Sequence, residues 1–254
     1  MFDLRCADLA RINSLTKYPS IPTYHALDPK SGVLLEATVP FTGPVLATEK
    51  IDGTNARLVC FPDGSYVLGS REELLYARGD LIGNPALGIV ETLRPLADGL
   101  PWPLRTDAIQ VCWFEVYGGK VSAASKQYTG HQRLGFRMFD AAVIPDDAEL
   151  LGRSAEELSR WREAGGQPFL HEDALAQLAH TLGVALTPRI PIGALPTERR
   201  ATAAFLREAI PHSLATLDAQ GGARPEGLVV RTADRRSIAK LRFEDYERTL
   251  RRLG

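Results

Sequence analysis

The residues best equipped for chemistry begin at Lys50. In Glu49-Lys50-Ile51-Asp52-Gly53-Thr54-Asn55 a lysine ends a β-rich run and a polar, glycine-containing turn follows, where a strand delivers its last side chains to a cleft. Taken alone, this segment is a β-turn with a snorkelling lysine. The cation usage of the whole chain argues for more. Of its 30 basic residues only six are lysines: Lys17, Lys30, Lys50, Lys120, Lys126 and Lys240. Where arginine is the default cation, a lysine marks a place where arginine would not serve. Lysine can lose its proton and act as a nucleophile, and arginine cannot.

Four further polar groupings follow Lys50 in order. They are Ser70-Arg71, Phe114-Glu115-Val116-Tyr117-Gly118-Gly119, Phe136-Arg137-Met138-Phe139-Asp140, and Glu226-Gly227-Leu228-Val229-Val230-Arg231 with Lys240-Leu241-Arg242 behind it. Each is weak singly: Glu115 could close a strand, Phe139 could be core, and Glu226-Gly227 could be a loop. As an ordered set they resemble the covalent nucleotidyltransferase superfamily of ATP-dependent DNA ligases, RNA ligases and mRNA capping enzymes, over residues 45–243. The finer resemblance is to RNA ligases of the phage RNA ligase 2 type and their bacterial relatives. Asn55 stands where DNA ligases of the superfamily typically carry Arg, and Phe114-Glu115-Val116-Tyr117-Gly118 looks like the RNA ligase form of its motif. Asp52, where the phage type often has His, and Arg242, where many relatives have Lys, depart from that pattern.

The resemblance implies an α+β nucleotidyltransferase fold, an ATP-grasp-like adenylation domain with antiparallel sheets flanked by helices. It implies a lysyl-AMP intermediate on Lys50, transfer of AMP to an RNA 5′-phosphate, and sealing to a 3′-OH in RNA end repair. ATP and Mg²⁺ (with Mn²⁺ as a substitute) are the implied cofactors. The chemistry suits the residues. A lysine amine attacking the α-phosphate forms a phosphoramidate and expels pyrophosphate, which is covalent catalysis. An ordinary lysine is almost all ammonium at neutral pH, and the cations Mg²⁺ and Lys240 would favour the amine. Lys240 and Arg242 are the expected stabilisers of phosphate charge. Glu226 is the expected metal-side carboxylate, a hard oxygen ligand. Glu49, beside the nucleophile, is counted with the nucleotide-binding set. Glu115 corresponds to the ribose-binding residue, Arg71 to one reaching ribose or terminal phosphate, and Phe139 to the aromatic on the base, with Phe136 as fallback. Asn55 is expected near the phosphate or the acceptor end.

The elements that must position these residues are mostly short strands. Runs at 45–51, 56–61 and 66–70, with a Pro62-Asp63-Gly64 hairpin turn, are followed by a helix over 84–97 and strands over 108–117 and 134–144. Helices are expected at 154–164, where Ser154 and Glu157 form a capping box, at 171–182 and at 196–210, with a short strand at 187–192. Strands at 227–232 and 237–243 precede a terminal helix over 244–253. The domain reading is a leader module at 1–44 and an adenylation domain at 45–254 with a helical insertion at about 146–210. Only 12 residues follow Arg242, so no C-terminal accessory domain is expected, and substrate choice is assigned to the leader, the basic C-terminal segment or a partner protein.

Composition sets the outer limits. The chain has 254 residues, 44% hydrophobic and 24% charged, with a net charge of −1, as in ordinary globular proteins. Bulk attraction to nucleic acid is not the theme, although a neutral total can hide a basic groove. Charge is uneven: residues 140–173 hold nine acids and three arginines, whereas 231–254 hold eight basic residues and four acids. The basic segment reads equally as a solvated face or a polyanion contact. No apolar run suits a membrane span. The three scattered cysteines, Cys6, Cys60 and Cys112, fit a reducing cytoplasm better than a disulfide framework. The competing readings are a DNA ligase, a capping-type enzyme, a nucleotide- or RNA-binding protein without catalysis, and an adenylylating subunit whose sealing step needs a partner.

Overall fold

In the computed structural model, which describes residues 4–145 and 148–253, the short strands form three antiparallel sheets flanked by helices. The α+β expectation holds. The chain divides into two units, one built from residues up to 20, 53–116 and 134–186, the other from 21–52, 117–133 and 187–254.

The first unit is organised on a six-stranded sheet. Its strands are β4 (Thr54–Cys60), β5 (Tyr66–Ser70), β6 (Leu74–Ala77), β7 (Asp80–Leu81), β8 (Ala108–Gly118) and β9 (Leu134–Pro145), in the order β7-β6-β5-β4-β8-β9. The hairpin between β4 and β5 turns at Gly64 (φ 82°), as the Pro62-Asp63-Gly64 signal requires. The helix expected over 84–97 starts later, as α2 (Ile89–Gly99), because Leu87 and Gly88 adopt positive φ and confine residues 86–88 to one 3-10 turn. Ser154 and Glu157 do form the capping box of α4 (Ala155–Glu163), which follows the short α3 (Ala148–Gly152). Next comes α5 (Glu172–Leu182), ended by the left-handed Gly183.

A helix that the composition of the leader concealed, α1 (Leu9–Thr16), is capped by the Asp8 carboxylate. It packs against α4 and joins the core of Val59, Val111, Trp113 and Leu158 through Ile12 and Leu15. Its C-terminal carbonyls, which lack intrahelical donors, are taken by side chains from the rest of the unit. Arg57 donates to Asn13 O (3.2 Å), Arg162 to Ser14 O, and Trp113 Nε1 to Thr16 O (3.1 Å). Gln167 Nε2 donates to both Leu15 O (2.9 Å) and Lys17 O (3.0 Å). Arg57 is fully buried, and desolvation, reinforced by Arg162, pushes its guanidinium down to about 9. The negative end of the α1 dipole lies against both guanidiniums.

The second unit holds a four-stranded sheet of β3 (Val45–Lys50), β10 (Arg189–Ile190), β11 (Gly227–Thr232) and β12 (Ile238–Arg242), in the order β10-β3-β11-β12. A two-stranded sheet of β1 (His25–Leu27) and β2 (Leu34–Thr38) accompanies it. Ala47, Leu228, Val230, Ala239 and Leu241 point from one sheet face into a core with α6 (Arg199–Ala209) and α7 (Phe243–Leu253). Residues 21–38 are strapped to these helices. His25 bridges the Tyr246 hydroxyl (2.8 Å) and the Thr197 carbonyl (3.0 Å), so its Nε2 donates and its Nδ1 accepts. Arg248 donates to Gly32 O and Arg252 to Ser31 O. No helix among the described residues is long and apolar enough to cross a membrane.

The α1 seat makes a stability prediction. Gln167→Leu leaves two carbonyls without donors at a buried position. Urea unfolding should show a loss of about 1–3 kcal/mol, seen as a lower midpoint at unchanged slope.

Candidate active site

Strand periodicity separates Glu49 from Lys50. Val45, Ala47 and Glu49 lie on the core side of β3, and Lys50 lies on the other. Glu49 is 1% exposed, and its carboxylate accepts hydrogen bonds from Ser213 Oγ (2.5 Å), Leu214 N (2.8 Å) and Ala215 N (3.1 Å). It therefore holds the 213–215 segment against β3. Lys50 Nζ meets Glu226 Oε2 at 2.5 Å, with both side chains about three-quarters buried (26% and 21% exposed).

Register places the other cations on the Lys50 face. Gly227 of β11 is directly opposite Lys50 on one side and Arg242 on the other, while Val229 is opposite Thr48 and Lys240. Directly opposed residues share a sheet face, so Lys50, Lys240 and Arg242 do so, opposite the buried Ala239 and Leu241. The absence of a side chain at Gly227 is required. A Cβ there would overlap the Leu241 carbonyl and lie 2.9 Å from Arg242 Cα. The outer edge of β12 is pinned at Lys240, whose N–H donates to Pro22 O and whose carbonyl accepts from Tyr24 N, both at 2.9 Å. Arg242 is held bidentately by Asp245 (2.8 and 3.0 Å), a carboxylate that Arg248 also contacts.

The turn after Lys50 is gripped from residues that the motif reading passed over. Asp52 N donates to the Tyr128 hydroxyl (2.7 Å), and Ser122 Oγ donates to Asp52 O (3.1 Å). Ile51 packs with Tyr117, Tyr128 and Ala215. Burial pushes the Tyr128 phenol up, keeping it a neutral hydrogen-bonding group. Tyr128 is fixed by its neighbours. The Asp218 carboxylate accepts from Thr129 Oγ1 (2.5 Å), Gly130 N (3.1 Å), Gln220 N (3.0 Å) and His131 N (3.4 Å). Nothing local in the sequence pairs residues 128–131 with 218.

In the first unit, Asn55 and Glu115 are directly opposed across β4 and β8 and share a face with Arg57 and Trp113. Glu115 Oε1 accepts from Gly53 N (3.1 Å), while Asn55 Oδ1 is buried with no hydrogen-bond partner. Such an orphaned acceptor fits a ligand that brings a donor. Phe139 is half-buried and meets Tyr18 edge-on at 5.0 Å, and Tyr18 also meets Trp113 at 5.3 Å. Phe139 therefore sits with the Trp113 face, whereas Phe136 packs on Phe114, which points the other way. Arg71 is exposed in the turn after β5, beside Glu72 at 3.5 Å.

The donor set fits a hard divalent cation held beside a nucleotide. Among the described residues no three His, Cys, Asp or Glu side chains converge as a metal cage. Magnesium in such sites is bound by one or two carboxylates with substrate phosphates and water completing its shell. Glu226, facing Lys50, is a carboxylate of the kind such a cation takes. Arginines of the C-terminal segment have other employment: Arg236 pairs with Asp234, Arg242 with Asp245, and Arg248 with Glu244. Of the two readings of the basic segment, these pairings fit the solvated, internally compensated one.

Two tests follow from this geometry. Gly227→Ala should cost about 2–5 kcal/mol, since no flexible side chain can yield to the new methyl group, and should lower the thermal midpoint accordingly. Asp218 is held below its ordinary value of 3.8, first by the Thr129 hydroxyl and then by Gly130 N. A carboxylate depressed in the folded state stabilises fully above its unfolded value and ceases to do so as pH falls through the folded one. Amide protection at Gly130 and His131 should therefore fall as pH drops below about 4. Asp218→Asn should lose much of it already at neutral pH.

An RNA ligase family model matches residues 43–243. No curated protein sequence matches the chain. Among solved structures, a Naegleria gruberi RNA ligase mutant with ATP and Mn is 14% identical at a TM-score of 0.53, with 90% of this chain and 62% of that one covered. The Naegleria gruberi RNA ligase with PPi is 15% identical at 0.53, with coverages of 90% and 62%. A second mutant with ATP and Mn is 14% identical at 0.54, with coverages of 91% and 63%. The chain thus spans less than two thirds of the length of these structures, and the likeness at such identity is one of fold. A family model extending over most of the sequence, on the fold and the Lys50 geometry described above, is decisive: the chain belongs to the RNA ligase family.

Proposed function

We propose that the protein is an ATP-dependent RNA ligase. It forms lysyl-AMP on Lys50, transfers AMP to an RNA 5′-phosphate and joins that end to a 3′-OH. The observation carrying this reading is the Lys50–Glu226 pair at 2.5 Å on a sheet face shared with Lys240 and Arg242. One nucleophile, one carboxylate and two cations are what nucleotidyl transfer to an amine requires.

In the first step the Lys50 amine attacks the α-phosphorus, a P–N bond forms, and the P–O bond to pyrophosphate breaks. The attacking group must be the neutral amine, so the pair with Glu226 opens and the proton leaves to solvent before attack, which also frees the Glu226 carboxylate for the metal. Lys240 and Arg242 stabilise the charge gathering on the phosphate oxygens, with Arg242 kept in place by its two bonds to Asp245. Preorganised charges of this kind do not need to reorganise as the reaction proceeds. Glu226 would hold a Mg²⁺ or Mn²⁺ ion, which when bound offsets phosphate charge. Glu115 is assigned to the ribose, Phe139 to the base, Arg71 to ribose or terminal phosphate, and Asn55 to the phosphate or acceptor end. Glu49 belongs to the nucleotide-binding set through its position. Its carboxylate is engaged by residues 213–215, so its contribution is to fix the backbone from which Lys50 projects.

The relatives with ATP and Mn support the choice of nucleotide and metal. The reading places the activity in the cytoplasm, and leaves room for a partner protein that selects the RNA.

Label transfer from α-labelled ATP and from GTP to the purified protein with Mg²⁺ tests this. An acid-labile adduct is expected from ATP only. Lys50→Ala and Lys50→Arg should both lack it, the second despite its retained charge. Glu226→Ala and Lys240→Ala should reduce its rate by about 10²-fold or more, and Phe139→Ala should raise the ATP concentration needed. An adduct that persists in Lys50→Ala would place the nucleophile elsewhere.

A further inference from the structure

Residues 119–133 form a loop whose ends meet. Gly119 N donates to the Arg133 carbonyl at 2.8 Å, and a Cβ at Gly118 (φ 82°) would overlap that same carbonyl. Loops closed in this way and packed by their own side chains recur at functional surfaces. The inner side of this one is occupied. Tyr128, buried against Tyr117 at 4.9 Å, and Ser122 grip Asp52, two residues beyond Lys50. From outside, the loop is clasped by the Asp218 bonds, by Leu217 N to Tyr128 O and by Gly222 N to Gln127 O, both 2.8 Å.

What remains is a rigid outer surface of one sign. Residues 117–133 contain no Asp or Glu, and Lys120, Lys126 and Arg133 are all exposed. Lys120, one residue after Gly119, and Arg133, whose own carbonyl makes the closing bond, lie at the base of the loop. Lys126 lies on the 3-10 turn (Ala123–Gln127) that Ser122 caps. Among the described residues none of the three is in an ion pair, in contrast to Arg224, Arg236, Arg242 and Arg248, which all face carboxylates. The nearby Asp218 carboxylate is engaged by four donors. Three uncompensated cations on a fixed loop, in a chain of net charge −1, make a local anion-attracting surface. Two of them are lysines in a chain that otherwise favours arginine.

We propose that residues 119–133 are the docking loop for the phosphate backbone of the RNA, next to the nucleophile's turn. The assignment rests on the RNA ligase reading and adds to it the surface that takes the polyanion. Because Lys120, Lys126 and Arg133 act on RNA and not on ATP, they are needed after the first step and not during it. Their contacts carry little sequence information, since phosphate contacts position a nucleic acid without reading its bases.

The test compares wild type with Lys120→Gln/Lys126→Gln/Arg133→Gln, which keeps side-chain length and removes charge. A control, Arg236→Ala/Arg251→Ala, removes two cations elsewhere. Each is assayed for Lys50 adduct formation from ATP, and for binding of a short 5′-phosphorylated single-stranded RNA across a salt series. Expected for the triple variant are an unchanged adduct rate, RNA affinity down by about tenfold or more at low salt, and a log–log salt slope smaller by about 2. The control should bind as wild type does. Wild type and triple variant binding RNA alike, with equal slopes, would overturn the docking loop while leaving the ligase reading intact. So would an equal loss in the control. A parallel loss of adduct formation in the triple variant would make the loop a support for Lys50 and not an RNA surface. A wild type that forms no adduct would instead refute the ligase reading itself.

Discussion

A carboxylate removed from water must gather hydrogen bonds or destabilise whatever carries it, and Glu49 gathers three from residues 213–215. The arrangement around Lys50 depends on this interaction. Glu49 and Lys50 are adjacent on a strand of period two, so the side chain that is buried and clamped fixes the outward direction of Lys50. The clamp is also the first link of a ring. Residues 213–215 lead to Asp218, which holds Thr129, Gly130 and His131. Tyr128, next to them, holds the Asp52 amide two residues after Lys50. The polar bonds in this ring are individually worth about 1–3 kcal/mol. Their combined effect is to leave Lys50 little backbone freedom.

The two units solve the problem of buried charge in different ways. Around Lys50, charges are paired with charges: Lys50 with Glu226, and Arg242 with Asp245. In the first unit, the buried Arg57 feels Glu72 only as the weakest of its influences and is met directly by the carbonyl and side chain of Asn13, at the end of α1. A helix C-terminus carries partial negative charge, so the leader segment contributes an electrostatic partner as well as apolar surface. Without α1 the Arg57 and Arg162 guanidiniums would lose acceptors, and the Trp113 indole would lose the Thr16 carbonyl. Tyr18, just beyond the helix, is then placed against Phe139 and donates to Asp140 (2.8 Å).

Glycine has two distinct duties here. At Gly227 it permits two strands to approach at a point where any side chain would meet backbone, and it leaves the space between Lys50 and Arg242 open. At Gly118 it gives a positive φ and room for the Arg133 carbonyl, closing the loop that carries Lys120 and Lys126. Both glycines belong to short motifs, Glu226-Gly227 and Tyr117-Gly118-Gly119, that are prominent in the sequence. The reason for each is a contact with a residue more than ten positions away.

The sequence by itself determined the strands β3, β4, β5, β8 and β11, whose apolar runs are dense and bounded by turns, and the capped α4. It also determined the order of polar groups from Lys50 to Arg242, because residue type and spacing are local properties. It did not reveal α1, β1, β2, β6 or β7, which are short and take their stability from what they pack against. Only the tertiary structure decided that Lys50 and Arg242 flank Gly227 in one row, that Glu49 faces inward to residues 213–215, and that Tyr128 and Ser122 hold the turn after Lys50. It alone separated Arg224, Arg236, Arg242 and Arg248, which face carboxylates, from Lys120, Lys126 and Arg133, which form no ion pair among the described residues. Strand register, the direction of a buried charge and the closure of a loop all join positions far apart in the chain. Such couplings arise from packing and hydrogen-bond satisfaction, not from any local pattern of residues.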